Sequence, residues 1–85
     1  MSVLPVRVMV EAMWDQVSFE LPAATTVGEI KQRALSLTHA SGRAEEYLVK
    51  YRGAELLDEA RSLVEAGVVP NAALIVLSRR RRPVR

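Results

Sequence analysis

A helical pattern in residues 26–37 is the strongest signal in the chain. Apolar residues recur there at gaps of three, four and three positions, which places them on one face of an α-helix. They are Val27, Ile30, Ala34 and Leu37. Thr26 and Glu29 have the spacing of a capping box, in which each side chain accepts a hydrogen bond from the other residue's backbone N–H. The other polar positions are expected to face water: Lys31, Gln32 and Arg33. A helix with so narrow a stripe is stable only against another layer, so the sequence predicts an adjoining sheet.

Alternating apolar and polar residues predict the strands of that sheet. Residues 6–11 and 16–21 alternate before the helix, and residues 12–15 between them are short enough for a hairpin. After the helix, residues 47–51 predict a third strand and residues 73–77 the last one.

The pattern between these two later strands is shorter. Leu56 predicts a very short fourth strand, which follows a turn at Arg52 and Gly53. Residues 58–65 predict one helical turn that directs Leu63 toward the core and ends before a glycine, a residue that tolerates positive φ. The predicted order is β-β-α-β-β-β, in one domain over residues 1–78.

Length and composition limit the class of protein. A chain of 85 residues forms one small domain, and because it has no cysteine, disulfides and thiolate–metal sites cannot support the fold. No apolar run approaches the ~20 residues that span a bilayer. The first residues do not have the pattern of a signal peptide, because Pro5, Arg7 and Glu11 interrupt the apolar segment. We therefore expect a cytoplasmic protein without a membrane span.

Charge is distributed unevenly. Residues 79–85 contain five arginines, whereas residues 1–78 contain seven basic and ten acidic residues and so have a net charge of −3. We expect a weakly acidic domain followed by a basic, disordered tail.

The ordered set of motifs resembles the ubiquitin-like β-grasp superfamily. The resemblance rests on the hairpin, the helix start TTVGEIKQ, the turn Tyr-Arg-Gly-Ala-Glu-Leu and the stretch ARSLVEAGVVPNAALIVL, and it covers residues 6–79. It implies an α+β fold, β-β-α-β-β-β, with one helix packed on a mixed sheet.

The resemblance also raises the question of conjugation. Ubiquitin is conjugated through a C-terminal Gly-Gly, but no glycine follows Gly67 here. A role as a protein modifier or sulfur carrier is therefore disfavoured. The chain is more similar to unconjugated bacterial ubiquitin-like proteins, including small partners of type VII secretion systems, which act by binding other proteins.

The apolar recognition patch of ubiquitin is altered at its centre. The central isoleucine of that patch corresponds to Lys50, its valine to Leu77, and its loop leucine loosely to Met13 or Trp14. Strand alternation places further apolar residues on the same face: Met9, Leu48 and Ile75. The predicted protein-binding residues are Met13, Trp14, Leu48, Lys50, Ile75 and Leu77, and weak self-association through them is a further possibility.

Two structural alternatives stay open for these residues. Trp14 at the hairpin tip either anchors a partner or folds back over Met9 or Leu77 to cover the sheet. The apolar face is either a continuous patch or is divided by charged side chains, namely Arg7, Glu11 and Lys50.

The basic tail supports a different hypothesis. Binding to nucleic acid or another acidic surface would use Arg79, Arg80, Arg81, Arg82 and Arg85, because each phosphate contact releases counterions. No aromatic residue is interleaved with these arginines to stack on bases, so nucleic acid is the disfavoured alternative.

Enzymatic chemistry finds no support in the sequence. His39 is the only histidine and has no cysteine or carboxylate cluster beside it in sequence. The adjacent acidic pairs Glu45–Glu46 and Asp58–Glu59 diverge rather than converge as a general acid and base would. We therefore predict no catalytic, metal-binding or cofactor-binding residue. The expected partner is a protein, which the sequence does not identify.

We expect no adenylate and no thioester when the 85-residue chain is incubated with ATP and an activating enzyme of the ubiquitin or sulfur-carrier type. The physical reason is the arginine-rich C-terminal segment, whose side chains do not fit a channel that admits glycines. Intact-mass spectrometry measures the outcome, with ubiquitin as the positive control. Either product on this chain would contradict the non-conjugated interpretation.

Overall fold

The computed structural model describes residues 3–40 and 42–78, and the predicted order β-β-α-β-β-β is confirmed within them. The elements are β1 (Val3–Val10), β2 (Asp15–Pro22), α1 (Val27–Leu37), β3 (Tyr47–Tyr51), β4 (Ala54–Glu55) and β5 (Ala72–Ser78). Short 3-10 turns precede β2 at Glu11–Met13 and β3 at Ala44–Glu46.

The described strands form one mixed sheet in the order β2-β1-β5-β3-β4. β1 and β5 are parallel, and the other neighbouring pairs are antiparallel. Alternate side chains of β1, β3 and β5 are buried on one face, against which α1 packs. The fully buried centre of this layer consists of Val6, Val8, Val10, Val27, Ile30, Val49, Leu63, Leu74 and Val76.

The start of α1 is bonded to the segment that follows β4. The predicted capping box is present, since the Thr26 hydroxyl accepts from the Glu29 N–H at 3.1 Å and the Glu29 carboxylate accepts from the Thr26 N–H at 3.1 Å. The Val27 N–H donates to the Arg61 carbonyl at 3.0 Å, and the Gly28 N–H donates to the Glu59 carbonyl at 2.9 Å. These bonds satisfy backbone donors that a helix leaves without a partner in its first turn.

Gly28 favours this close approach. A Cβ atom built on Gly28 would lie 3.2 Å from the Glu59 carbonyl oxygen, so a side chain there would require the two segments to separate slightly. The helix and the later segment are therefore held backbone to backbone.

The buried face of α1 differs in part from the prediction. Val27, Ile30 and Ala34 are buried as predicted, but Leu37 is 58% exposed and Leu35 is buried instead. With about 100° between successive residues, position 37 lies about 20° from Ile30, whereas position 35 lies about 80° from Val27 on the other side, so the periodicity favours Leu37. The buried face is instead turned toward the side of α1 that carries Lys31, Leu35 and Thr38, all of which are buried.

Lys31 is buried, and the prediction that it faces water is wrong. Only 3% of the residue is exposed. Its Nζ atom lies 2.8 Å from each carboxylate oxygen of Glu59 and donates to the Tyr47 carbonyl at 2.9 Å. Lys31 therefore connects α1 to the start of β3 and to the segment after β4, and the paired carboxylate compensates for removing the ammonium group from water.

Two short features also differ from the sequence predictions. The fourth strand is Ala54–Glu55, so its assignment to Leu56 is wrong by position. Residues 58–65 form turns and an isolated bridge between Thr26 and Ser62 rather than a helical turn. Leu63 is nevertheless buried, as predicted, and Gly67 has a φ of +86°.

Lys31→Met should lower the free energy of unfolding by about 3 kcal/mol, because it leaves the Glu59 carboxylate and the Tyr47 carbonyl without their cation. Glu59 is partly exposed, which places the effect at the lower end of the range for buried pairs. Urea denaturation of Lys31→Met, Glu59→Gln and the double variant measures it. The double variant should be less destabilised than the sum of the single variants by about 0.5–3 kcal/mol.

Arg33→Met is the matched control for this cycle, because Arg33 is an exposed cation on the same helix. It should change stability by less than about 0.5 kcal/mol. Additive single and double variants, or a Lys31→Met effect no larger than that of Arg33→Met, would show that the ion pair does not stabilise the fold.

Candidate protein-binding surface

The face of the sheet opposite α1 presents the residues that alternate with the core. Strand register places five of them in one row across the sheet, in the order Gln16, Met9, Ile75, Lys50 and Glu55. Leu77 and Leu48 are paired in the neighbouring row. Directly paired residues in antiparallel strands have Cβ atoms about 4.5–5.5 Å apart, so the side chains of these rows are close neighbours.

Five residues at the centre of this face form what we call the outer patch. They are Met9, Leu48, Lys50, Ile75 and Leu77. Ile75 is 41% exposed, and the other four are partly exposed. In the part of the chain that the structure describes, no second helix lies on this face. The structure thus brings together four predicted binding residues, namely Leu48, Lys50, Ile75 and Leu77.

The tip of the β1–β2 hairpin carries the other two predicted residues. Met13 ends a 3-10 turn, and Trp14 follows it with a φ of 52° and a ψ of 38°. Met13 is 41% exposed and Trp14 is 82% exposed. The alternative in which Trp14 folds back to cover the sheet is therefore wrong.

Backbone geometry makes Trp14 an unusual choice for the hairpin tip. Positive φ suits glycine, and to a lesser extent asparagine and aspartate, because Cβ crowds the backbone in the left-handed region. The bulky indole therefore adds backbone strain without gaining burial. Neither packing nor local conformation accounts for a tryptophan at this position.

Charged side chains surround the outer patch without dividing its apolar part. Arg7 is paired with Ser18 and Ala73, one row away from Met9 and Ile75. Glu11 is exposed in the 3-10 turn before Trp14. Lys50 is the exception, because the ladder places it directly between Ile75 and Glu55. The patch is thus apolar except for one cation at its margin on the β4 side.

A second concave surface, which the sequence did not indicate, lies on the opposite side of the molecule. It has a volume of about 410 Å³ and is lined by Gly28, Lys31, Gln32, Ala44, Glu45, Leu57 and Glu59. The Lys31–Glu59 ion pair lies in its wall, and Leu57 beside it is 79% exposed. Because Lys31 and Glu59 already pair with each other, this part of the wall offers a ligand little unpaired charge.

The remaining predicted residues lie away from the outer patch or beyond the described part of the chain. Arg79, Arg80, Arg81, Arg82 and Arg85 lie outside the described residues. His39 is exposed in the loop after α1 and has a φ of 59°. Across residues 3–40 and 42–78, no three acidic, histidine or cysteine side chains converge as metal ligands would, and no helix has the length and apolar character needed to cross a membrane.

Known structures identify the architecture, although no protein-family model and no curated protein matches the sequence. The ubiquitin-like domain of an Arabidopsis thaliana protein superposes with a TM-score of 0.78 at 20% identity, over 100% of this chain and 86% of that one. The fold is the ubiquitin-like β-grasp. Ubiquitin from Caldiarchaeum subterraneum also has a TM-score of 0.78, at 14% identity and with 98% of both chains covered. The C-terminal ubiquitin-like domain of mouse tubulin-specific chaperone e has a TM-score of 0.76 at 18% identity, over 98% of this chain and 93% of that one.

Trp14→Gly should leave the fold intact and raise the free energy of unfolding by up to about 1 kcal/mol, because glycine relieves the strain of positive φ. Trp14→Ala is the matched control, since it removes the exposed indole but keeps the strained backbone. It should be within about 0.5 kcal/mol of the wild type. Thermal and urea unfolding of both variants measure this. If both variants lose more than about 1 kcal/mol, the indole packs on the domain and the exposed geometry is wrong.

Proposed function

We propose that this chain is a non-conjugated ubiquitin-like module that binds a partner protein through the outer patch and the hairpin tip. The observation that carries the proposal is the uncovered apolar surface, on which Ile75 is 41% exposed and Trp14 is 82% exposed. Large side chains left in water favour a protein interface, because burying them on binding recovers the hydrophobic free energy.

The geometry of the site suits a protein better than a small molecule. The outer patch lies on a broad sheet face, while small ligands bind mostly in enclosed clefts. Trp14 is at the tip of the hairpin whose strands form part of this sheet, and tryptophan is enriched among residues whose truncation most weakens protein interfaces. We infer that Trp14 and Met13 enter a pocket of the partner while the outer patch packs beside it.

The sequence supports the finer parts of the proposal. The resemblance to unconjugated bacterial ubiquitin-like proteins favours a cytoplasmic protein whose partner belongs to a bacterial secretion or ubiquitin-like system. The competing function, binding to nucleic acid through the arginines of residues 79–85, would join a basic segment to a domain of net charge −3.

Two variants separate these functions. Leu77→Asp should abolish capture of a partner from a lysate of the native host, because it places a charge in the outer patch. Deletion of residues 79–85 should leave that capture intact. Affinity pull-down with quantitative mass spectrometry measures both results, and circular dichroism verifies folding.

Ala73→Asp is the matched control, since Ala73 is exposed on the same face of β5 but lies outside the outer patch. It should retain the partner. The reverse pattern, with retention by Leu77→Asp and loss on tail deletion, would assign binding to the arginines. Binding to duplex DNA through four or five phosphate contacts would then show a log–log salt slope of roughly −4.

A further inference from the structure

Lys50 occupies a position that sets a requirement on the partner. It lies on the central row of the outer face, with Ile75 directly opposite on β5 and Glu55 directly opposite on β4. Leu48 precedes it on the same face of β3 and is paired with Leu77. A partner that covers these apolar side chains must therefore also cover Lys50.

Covering an ammonium group with an apolar surface is unfavourable. Removing it from water costs several kcal/mol unless charged or polar acceptors replace its hydration. The group has three N–H donors in a rotatable head. Glu55 lies on the β4 side of Lys50, at the sheet edge. The side that faces a docked partner has to be satisfied by the partner.

We propose that the partner presents an apolar surface with one carboxylate placed to meet Lys50. This inference rests on the proposed function and specifies the partner's chemistry. A carboxylate supplies the opposite charge and accepts more than one hydrogen bond, so it replaces the hydration of Lys50 more completely than a neutral group. The same cation selects against partners whose matching position is apolar, since a desolvated, unpaired charge is a source of discrimination.

Selection from a display library tests this requirement. A helical-bundle scaffold with one randomised helix face is selected in parallel against the wild-type chain and against Lys50→Leu. Binders that use the outer patch are identified by their loss of binding to Leu77→Asp. Those selected on the wild type should be enriched in Asp or Glu at a central position and should lose at least about tenfold in affinity for Lys50→Leu. Those selected on Lys50→Leu should carry an apolar residue there and should bind the wild type more weakly.

Two further variants sharpen the comparison. Lys50→Arg keeps the charge and should lose less affinity than Lys50→Leu, while Arg33→Leu removes an exposed charge from α1 and should change nothing. Circular dichroism and urea unfolding verify that each variant is folded.

The outcomes distinguish this inference from the proposed function. Outer-patch binders that lack the enrichment in carboxylates, or that bind the wild type and Lys50→Leu equally, would overturn the requirement for a carboxylate while leaving the outer patch as a binding surface. If no selected binder is sensitive to Leu77→Asp, the outer patch is not a docking surface, and both proposals fail.

Discussion

The Lys31 contacts hold the two halves of the domain in register. The first half is a hairpin followed by α1. The second half contains β3, β4 and β5, and the segment between β4 and β5 has little regular structure. Lys31 bonds to the start of β3 at Tyr47 and to Glu59, and the first turn of α1 bonds to the backbone of the same segment. This segment has internal hydrogen bonds of its own, and the Leu63 N–H also donates to the Thr25 carbonyl just before the helix at 2.8 Å. That attachment in turn places Leu63 in the core.

This attachment determines which face of the sheet is available. α1 and the segment after β4 lie on one side, and one helix in a chain of this length covers only one face. The opposite face is polar along β2, where Gln16, Ser18 and Glu20 are exposed, whereas the apolar residues of the outer patch lie on the central strands β1, β5 and β3. Hydrophobic residues scattered over a surface need no explanation, whereas a group on adjacent central strands forms one surface. The location of the outer patch thus follows from the same packing that buries the core.

The sequence predicts the features that depend on local periodicity. It does not predict which residues are buried where tertiary packing determines this. The helix, its cap and the strand order follow from spacing and alternation. The spacing favours Leu37 over Leu35 as a buried residue, but the structure buries Leu35, because the covered face of the helix is turned toward Lys31 and Thr38. Lys31 falls on the stripe by spacing, four residues after Val27, yet its charge predicts exposure until Glu59 is seen beside it. The positive φ of Trp14 could not be predicted from its residue type, because tryptophan rarely adopts positive φ.

Two residues of the candidate site depart from what stability alone favours. Trp14 combines high exposure with a backbone conformation that suits glycine, and Lys50 places a cation beside Ile75 and Leu48 on an otherwise apolar patch. One lies at the hairpin tip, and the other lies on the central row of the outer face. No single structural feature accounts for both residues, since the hairpin turn and strand β3 impose different constraints on the chain. The proposed contact would account for both, because a partner that buries the indole and pairs the ammonium group would gain from each residue what the isolated domain does not.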